Sequence, residues 1–247
     1  MAKRSLDPKI SGPLRAHPLF AQLSDEGLAF LSNHATRTKF RAGRKVLREG
    51  REAKDVFVLV TGGVRIFHRA PASDEGEIVV KLFRAPAFFG EMEVLMNIDW
   101  LETVETVLTS EVIRIRGEAF HSVLNKEHKL ALALVKDLTR RLIIATEHAR
   151  VLAFSNAESR LASLMMDHLD LFGLETDKGT KLNVKISQES LARSLAVSRK
   201  TINETLGHWR DQKILSKNSG LYTIHDVQAL DALRLESQYG LAYQSSS

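Results

Sequence analysis

The stretch from Ile186 to Lys213 constrains the fold most strongly, because it has the pattern of two short helices joined by a tight turn. Ser187 and Ser198 each precede a helix-forming run, and a serine hydroxyl at that position accepts a hydrogen bond from an unpaired backbone N–H. The sequence predicts a first helix after Ser187, a break at Ala196–Val197, and a second helix from Arg199 to about Lys213.

The second predicted helix has two different faces. Ile202, Leu206 and Trp209 lie at positions i, i+4 and i+7, which gives one apolar stripe. At roughly 100° per residue, the opposite face carries Lys200, Asn203, Glu204 and Gly207, with Arg199 at its edge.

The side chains of that outer face have the chemistry of base recognition. Arginine can donate two hydrogen bonds to guanine, asparagine can pair with adenine, and glutamate can accept from cytosine. Every amphipathic surface helix turns polar residues outward, however, so the neighbouring sequence must decide between the two interpretations.

The segment after this helix predicts a β-hairpin. Two apolar-rich runs between Ile214 and Ile224 flank the turn residues Asn218-Ser219-Gly220, and Lys217 lies where it could contact a phosphate. Two helices followed by a hairpin form a winged helix-turn-helix, which is a DNA-binding module.

This order of elements resembles the DNA-binding end of the cyclic-AMP receptor / fumarate-nitrate regulator (CRP/FNR) superfamily. The matching residues are Ser187-Gln188-Glu189, Leu191-Ala192, Val197-Ser198-Arg199, Thr201-Ile202, Leu206 and Ile214. The resemblance implies that Arg199 reads a guanine. Lys200 and Glu204 depart from it, since an acid is common at the first position and an arginine at the second, so an unusual half-site is expected. The expected DNA contacts are Gln188, Ser198, Arg199, Lys200, Thr201, Asn203, Glu204 and Lys217.

The N-terminal half has the pattern of a small β domain. From Phe40 onward, short β-type runs alternate with glycine-containing turns, which predicts a jelly-roll over residues 36–116. Its spacing resembles the cyclic-nucleotide-binding domain. The predicted α+β fold is a cyclic-nucleotide-binding-like jelly-roll sensor over 17–125, a dimerisation helix over 126–154 and a winged helix-turn-helix over 155–237.

Other segments carry weaker predictions. Residues 1–16 contain two prolines and are predicted to be an irregular lead-in. Residues 173–180 are predicted to form a polar loop, and Glu91-Met92-Glu93 to belong to a strand.

The resemblance also allows a test for the effector. Family members that bind cyclic AMP follow a Gly-Glu pair with an arginine and a hydroxyl residue that hold the phosphate. Gly90-Glu91 is present here, but no basic residue lies between Glu91 and Arg114, and Leu101-Glu102 take the phosphate-binding positions. A carboxylate repels phosphate, and the lost charge-assisted pair removes about 1.5–3 kcal/mol. Cyclic AMP is therefore not expected in the usual pose. The effector is left unknown, with Gly90, Glu91 and Thr146 as its expected contacts.

The long helix over 126–154 predicts a dimer. Its apolar residues alternate in spacings of four and three, as in a coiled-coil seam, at Ala131, Val135, Leu138, Leu142, Ala145, Ala149 and Leu152. A helix packed on its own barrel would show a similar stripe, and the resemblance favours the dimer. Such a homodimer would bind inverted-repeat double-stranded DNA and would have RNA polymerase as a further partner.

The amino-acid composition excludes or disfavours several classes of protein. A net charge of +5 permits phosphate binding without requiring it. The chain has no cysteine, which excludes a cysteine-ligated iron–sulfur cluster. No run of about 18 apolar residues occurs, so a cytoplasmic protein without a membrane partner is expected. No catalytic or metal-binding motif occurs either, which disfavours an enzyme.

Two alternatives stay open at this point. The second domain of a cyclic-nucleotide-like module could bind a protein in place of DNA, and such a protein would show no salt-dependent affinity for duplexes. A haem-based gas sensor on the same scaffold could use His68 or His148 as an iron ligand.

Overall fold

The computed structural model describes residues 7–69 and 77–235. Two compact units form, and the division between them falls inside one long helix, between Ile143 and Ile144. The first part of the chain contains α1 (Pro8–Ala16), α2 (Asp25–Asn33), β1 (Ala35–Phe40), β2 (Lys45–Leu47), β3 (Asp55–Thr61), β4 (Gly63–Arg69), β5 (Glu77–Arg84), β6 (Ala87–Phe89), α3 (Glu91–Met96), β7 (Thr103–Thr106), β8 (Ser110–Arg116) and α4 (Gly117–Leu124). The long helix is α5 (His128–Phe154).

The N-terminal β domain consists of two four-stranded sheets, in the orders β1-β8-β3-β6 and β2-β7-β4-β5. Strand β3 lies between β8 and β6 and pairs antiparallel with both. Its central residues Val56, Phe57, Val58 and Leu59 are all buried, because α3 and α4 pack against β3 and its side chains belong to the same core cluster as residues of the second sheet. The predicted β domain is confirmed at the level of these two sheets.

The N-terminal lead-in was predicted wrongly, since Pro8–Ala16 is a helix. The Asp7 side chain caps it by accepting a hydrogen bond from the Lys9 N–H at 2.9 Å, and Pro8 takes the first helical position, where a missing N–H costs nothing. Ile10 and Leu14 are buried in the hydrophobic core of the β domain. The helix therefore forms by packing, although its prolines suggested an irregular chain.

The Glu91-Met92-Glu93 segment is also different from its prediction, because it begins helix α3 instead of forming a strand. Gly90 precedes the helix with φ of 82°, in the left-handed region that glycine adopts without strain. A Cβ at Gly90 would lie 3.1 Å from the Trp100 ring and 3.2 Å from the Phe57 ring. The glycine thus lets the chain turn against the aromatic core and start α3.

The C-terminal unit contains α6 (Ala157–Phe172), β9 (Gly173–Thr176), β10 (Gly179–Leu182), α7 (Gln188–Ser194), α8 (Arg199–Asp211), β11 (Leu215–Asn218), β12 (Leu221–Ile224) and α9 (Val227–Leu235). Its sheet has the order β11-β12-β10-β9. The predicted polar loop over 173–180 is therefore wrong, because β9 and β10 form a hairpin that extends the sheet through pairing of β10 with β12. A single two-stranded hairpin is only marginally stable in water. Pairing of β10 with β12 stabilises this one by adding backbone hydrogen bonds from a third strand.

Candidate nucleic-acid interface

Helices α7 and α8 begin at the two predicted serine caps. Ser187 Oγ accepts a hydrogen bond from the Ser190 N–H, and Ser198 Oγ accepts one from the Thr201 N–H, each at 3.0 Å. Between the helices, Ala196 has φ of 51°, which is unusual for a residue with a Cβ. The helix-turn-helix predicted from the sequence is confirmed.

The inner side of α8 fixes the helix on its domain. Ile202, Leu206 and Trp209 are buried, as the apolar stripe predicted. Trp209 Nε1 donates a hydrogen bond to Glu158 Oε1 on α6 at 2.8 Å. A buried indole N–H needs such a partner, so this bond sets the rotation of α8 and thereby which residues face outward.

The outer side of α8 presents the predicted polar residues to solvent. Arg199, Lys200, Asn203 and Glu204 are exposed. Lys200 Nζ lies 3.8 Å from Glu204 Oε1, an exposed pair one helical turn apart. Arg199 makes no ion pair with any residue that the structure describes. Its guanidinium is consequently available to a ligand at the N-terminus of the helix.

Ser198 and Thr201, two further predicted contacts, already contact each other. Ser198 Oγ serves as the cap of α8, and it also lies 2.9 Å from Thr201 Oγ1. Gln188 is the half-buried first residue of α7. Ser198 and Thr201 lie at the N-terminus of α8, where backbone N–H groups and the helix dipole attract anions.

Strands β11 and β12 form the predicted hairpin. Ser219 and Gly220 connect them with φ of 51° and 83°, as in a two-residue hairpin turn. Lys217 Nζ donates a hydrogen bond to Tyr222 Oη at 3.1 Å and lies 4.5 Å from the centre of the same ring. The tyrosine thus holds the ammonium group in place on the surface of the wing.

In the N-terminal unit, Glu91 forms an internal ion pair. Its carboxylate is buried, and Arg141 Nη1 of α5 donates to Glu91 Oε1 at 2.8 Å. Arg141 Nη2 also donates to the Phe88 carbonyl at 2.8 Å and pairs with Asp137 at 2.7 Å. Burial raises the pKa of Glu91, and the Arg141 charge opposes that rise. Sequence reasoning missed Arg141, although its spacing of four from Asp137 on a predicted helix offered a hint.

Glu102 occupies a position at which the resemblance predicts a phosphate contact, and its carboxylate lies near a histidine. His68 Nε2 and Glu102 Oε1 are 3.5 Å apart. Burial raises the pKa of Glu102, and His68 is the largest influence against that rise. Neighbouring Leu101 is exposed. Thr146, the third expected effector contact, lies on α5 with an exposed side chain.

Helix α5 has one buried side and one uncovered apolar side. Leu130 and Leu134 are buried in the N-terminal core, and Leu138 packs partly against it. From the predicted seam, Val135 is 58% exposed, Leu142 is 66% exposed, and the small residues Ala145 and Ala149 are also exposed. Leu152 and His148 have side chains outside the described residues.

Residues 7–69 and 77–235 contain neither a cluster of metal ligands nor a membrane-spanning helix. No group of three or more His, Asp or Glu side chains there could hold a metal ion. Over the same residues, every helix is too short or too polar to cross a membrane.

Comparison with known proteins agrees with this arrangement. Residues 37–127 match the cyclic nucleotide-binding domain, and residues 159–233 match the Crp-like helix-turn-helix domain. The global nitrogen regulator of Synechococcus elongatus is 25% identical over 194 residues, which cover 78% of this chain and 86% of the relative. The CRP-like cAMP-activated global transcriptional regulator of Mycobacterium tuberculosis is 22% identical over 188 residues, covering 76% of this chain and 83% of the relative.

Solved structures show the same fold. The c-di-GMP-responsive global regulator CLP of Xanthomonas campestris is similar with a TM-score of 0.68 and 20% identity, over 82% of this chain and all of that chain. A transcriptional regulator of the CRP/FNR family from Thermus thermophilus gives a TM-score of 0.69 and 18% identity, over 81% of this chain and 98% of the other. With both domain patterns present in the expected order, this chain belongs to the CRP/FNR superfamily of DNA-binding transcription regulators.

Proposed function

We propose that two copies of this chain bind one inverted-repeat DNA site, with α8 of each copy in a major groove. The observation that supports this most directly is the outer face of α8. It combines an arginine, an asparagine and a glutamate, all exposed, on a helix whose rotation is fixed by the buried Trp209–Glu158 hydrogen bond. A rigid helix with such a face can read base edges.

Arg199 is assigned to a guanine, because it is exposed at the N-terminal end of α8, the end that enters the groove, and forms no ion pair with a described residue. Asn203 follows one turn later and suits an adenine. Glu204 repels phosphate, so it suits a cytosine amino group and is held near Lys200 until DNA binds.

Phosphate contacts are assigned to Lys217 on the wing and to the residues around the α7 and α8 N-termini, namely Gln188, Ser198, Lys200 and Thr201. Lys217 lies beside Tyr222 and can move toward a phosphate without loss of burial, since it is exposed. These contacts add affinity for any duplex and carry no base preference of their own.

Substitution of Arg199 tests this assignment. Arg199→Ala is expected to weaken binding to the preferred site by about 1–3 kcal/mol and to relax the preference at one base pair, because a bidentate guanine contact is lost. Lys217→Ala is the matched comparison: it should weaken all duplexes alike and lower the salt slope by about one unit. Glu204→Ala should change which sequences bind more than how tightly. Binding to a randomised duplex library measures the sequence preference of each variant. If Arg199→Ala and Glu204→Ala both keep the wild-type preference, α8 does not read the major groove.

The dimer is proposed to form through the uncovered side of α5, where Val135, Leu142, Ala145 and Ala149 are exposed. A monomer gains nothing from leaving such a stripe in water, whereas a second copy buries it. Since the family regulates transcription, we also infer RNA polymerase as a partner, and the cytoplasm as the compartment where both DNA and polymerase are met.

The sensor domain is proposed to respond to an effector other than cyclic AMP, or to none. The Glu102 carboxylate, near His68, takes a position that the family uses for phosphate binding, and Glu91 Oε1 is already occupied by Arg141. A cyclic phosphate would meet negative charge at the first position and would have to compete with an ion pair at the second. This arrangement gives no support to a haem site, and the DNA-binding domain gives none to a purely protein-binding module.

Calorimetry with cyclic AMP tests the proposal for the sensor. The parent protein should show no binding at micromolar ligand, because Glu102 opposes the phosphate charge. A double variant, Leu101→Arg with Glu102→Ser, restores the family's phosphate pair and should gain measurable affinity. Micromolar affinity in the parent would refute the proposal. Native mass spectrometry of the purified chain would show in addition whether a nucleotide, haem or nothing is retained.

A further inference from the structure

Gly207 occupies an unexpected place in α8. It lies inside the helix, where glycine is among the least favourable residues, and its φ is not in the left-handed region. A Cβ built at Gly207 would meet only Arg210 Nη2, at 3.8 Å, which is an ordinary van der Waals contact. Folding of this domain therefore does not require glycine at position 207.

The position of Gly207 relative to the proposed DNA contacts suggests a use for it. Gly207 follows Asn203 by one helical turn and Arg199 by two, and it lies opposite the buried Ile202 and Leu206. Eight residues of helix advance about 12 Å. Because the N-terminal residues of a recognition helix contact the bases, a residue two turns later lies nearer to the sugar–phosphate backbone.

Arg210 adds charge to this bare part of the helix. Its side chain is exposed, and its guanidinium lies beside the space that a Gly207 side chain would fill. Within the ranges the structure describes, Arg210 pairs with no carboxylate. A guanidinium that pairs with no described carboxylate and lies next to an open stretch of helix surface suits a phosphate group, which it can bind through two parallel hydrogen bonds.

We propose that Gly207 and Arg210 together form a seat for one DNA phosphate, in which the absent side chain admits the sugar–phosphate backbone and the guanidinium binds its charge. The proposal rests on the docking of α8 described above. It assigns Gly207 to positioning: the glycine sets how closely α8 approaches the duplex. Arg210 supplies the affinity.

Substitutions at Gly207 separate this role from folding. Gly207→Ala should raise the melting temperature by about 2–4 °C, since alanine favours helix, and yet weaken the preferred duplex about tenfold. Gly207→Leu should weaken it by about 100-fold or more, because a larger side chain holds the backbone further away. Ala232→Leu places the same side chain on an exposed site of α9 and should leave DNA binding unchanged.

Arg210→Gln, combined with modified DNA, tests the charged partner. Each phosphate of a half-site is replaced in turn by an uncharged methylphosphonate. For the parent, one replacement should weaken binding through loss of the Arg210 contact. The same replacement should cost the Arg210→Gln variant nothing further, since the two changes remove one interaction. Arg210→Gln should also lower the salt slope by about one unit.

The outcomes distinguish this proposal from the function on which it rests. Parent-like affinity in a folded Gly207→Leu variant, or full additivity of Arg210→Gln with every methylphosphonate, overturns the phosphate seat. If Arg199→Ala still loses base preference in that case, the proposed docking of α8 is retained and only the phosphate seat is rejected. A parent protein that binds every duplex with equal affinity overturns both.

Discussion

At the scale of single residues, the proposal for the sensor domain depends on two carboxylates. The family resemblance predicts a phosphate-binding position at Glu102, where a carboxylate has the wrong sign of charge, and Glu91 is paired internally with Arg141. Sequence comparison with the family identified the first of these features, because it depends on which residue type is present. The Glu91–Arg141 ion pair joins residues that are 50 positions apart in the chain, and the sequence alone does not indicate that contact.

His168 provides a prediction at the same scale. It is buried in α6, its Nδ1 lies 2.6 Å from the Leu164 carbonyl, and burial lowers its pKa below the ordinary value of 6.5. The unfolded chain therefore binds a proton more readily than the folded one. The stability that His168 contributes in its neutral form is fully present above pH 6.5, the pKa in the unfolded chain. It is lost as the pH falls from 6.5 toward the lower pKa of His168 in the folded protein.

Urea unfolding at pH 7.5 and 5.5 checks this expectation. The loss of unfolding free energy on acidification should be smaller in His168→Gln than in the parent, because the glutamine does not titrate. His208→Gln changes an exposed histidine on α8 and should keep the parent's loss. An equal loss in His168→Gln and the parent would show that His168 does not destabilise the fold on protonation.

At the scale of elements, local signals located most helices. The serine caps and the apolar stripe gave α7 and α8, and the four-three spacing gave α5, because these depend on residues within a turn or two of each other. Elements that depend on distant partners were missed. Helix α1 needs the β-domain core, and β9–β10 need β12, which lies more than 40 residues later. The positive φ of Ala196 was likewise not predictable, since glycine or asparagine is the usual residue there.

The uncovered side of α5 carries the prediction for elements. Leu142→Glu places a charge on the proposed seam, where the two copies would bury it against its symmetry mate, so light scattering should report a monomer. Arg140→Glu alters an exposed residue about half a helical turn away from the seam and should leave the dimer intact. A dimer of unchanged mass in Leu142→Glu would exclude this side of α5 as the interface.

At the scale of the whole molecule, the sequence predicted the order of the two domains and the helix between them, and the family comparisons confirm both domains. Hydrophobic periodicity and turn residues are sufficient for that level of description. The effector and the preferred DNA sequence depend on partner molecules, so hydrophobic periodicity and turn residues do not predict them. Lys200 and Glu204 predict only that the preferred half-site differs from the family's common one.

Selection of bound duplexes from a fully randomised library tests most directly whether the chain is a dimeric reader of DNA sequence. If two α8 helices enter successive major grooves, the enriched duplexes should contain two half-sites in inverted orientation, with centres about 34 Å apart. One dimer should bind each duplex, and the Arg199→Ala variant should select a half-site degenerate at one base pair. Enrichment of a single half-site, of direct repeats, or of no sequence at all would contradict the dimeric recognition proposed for α8.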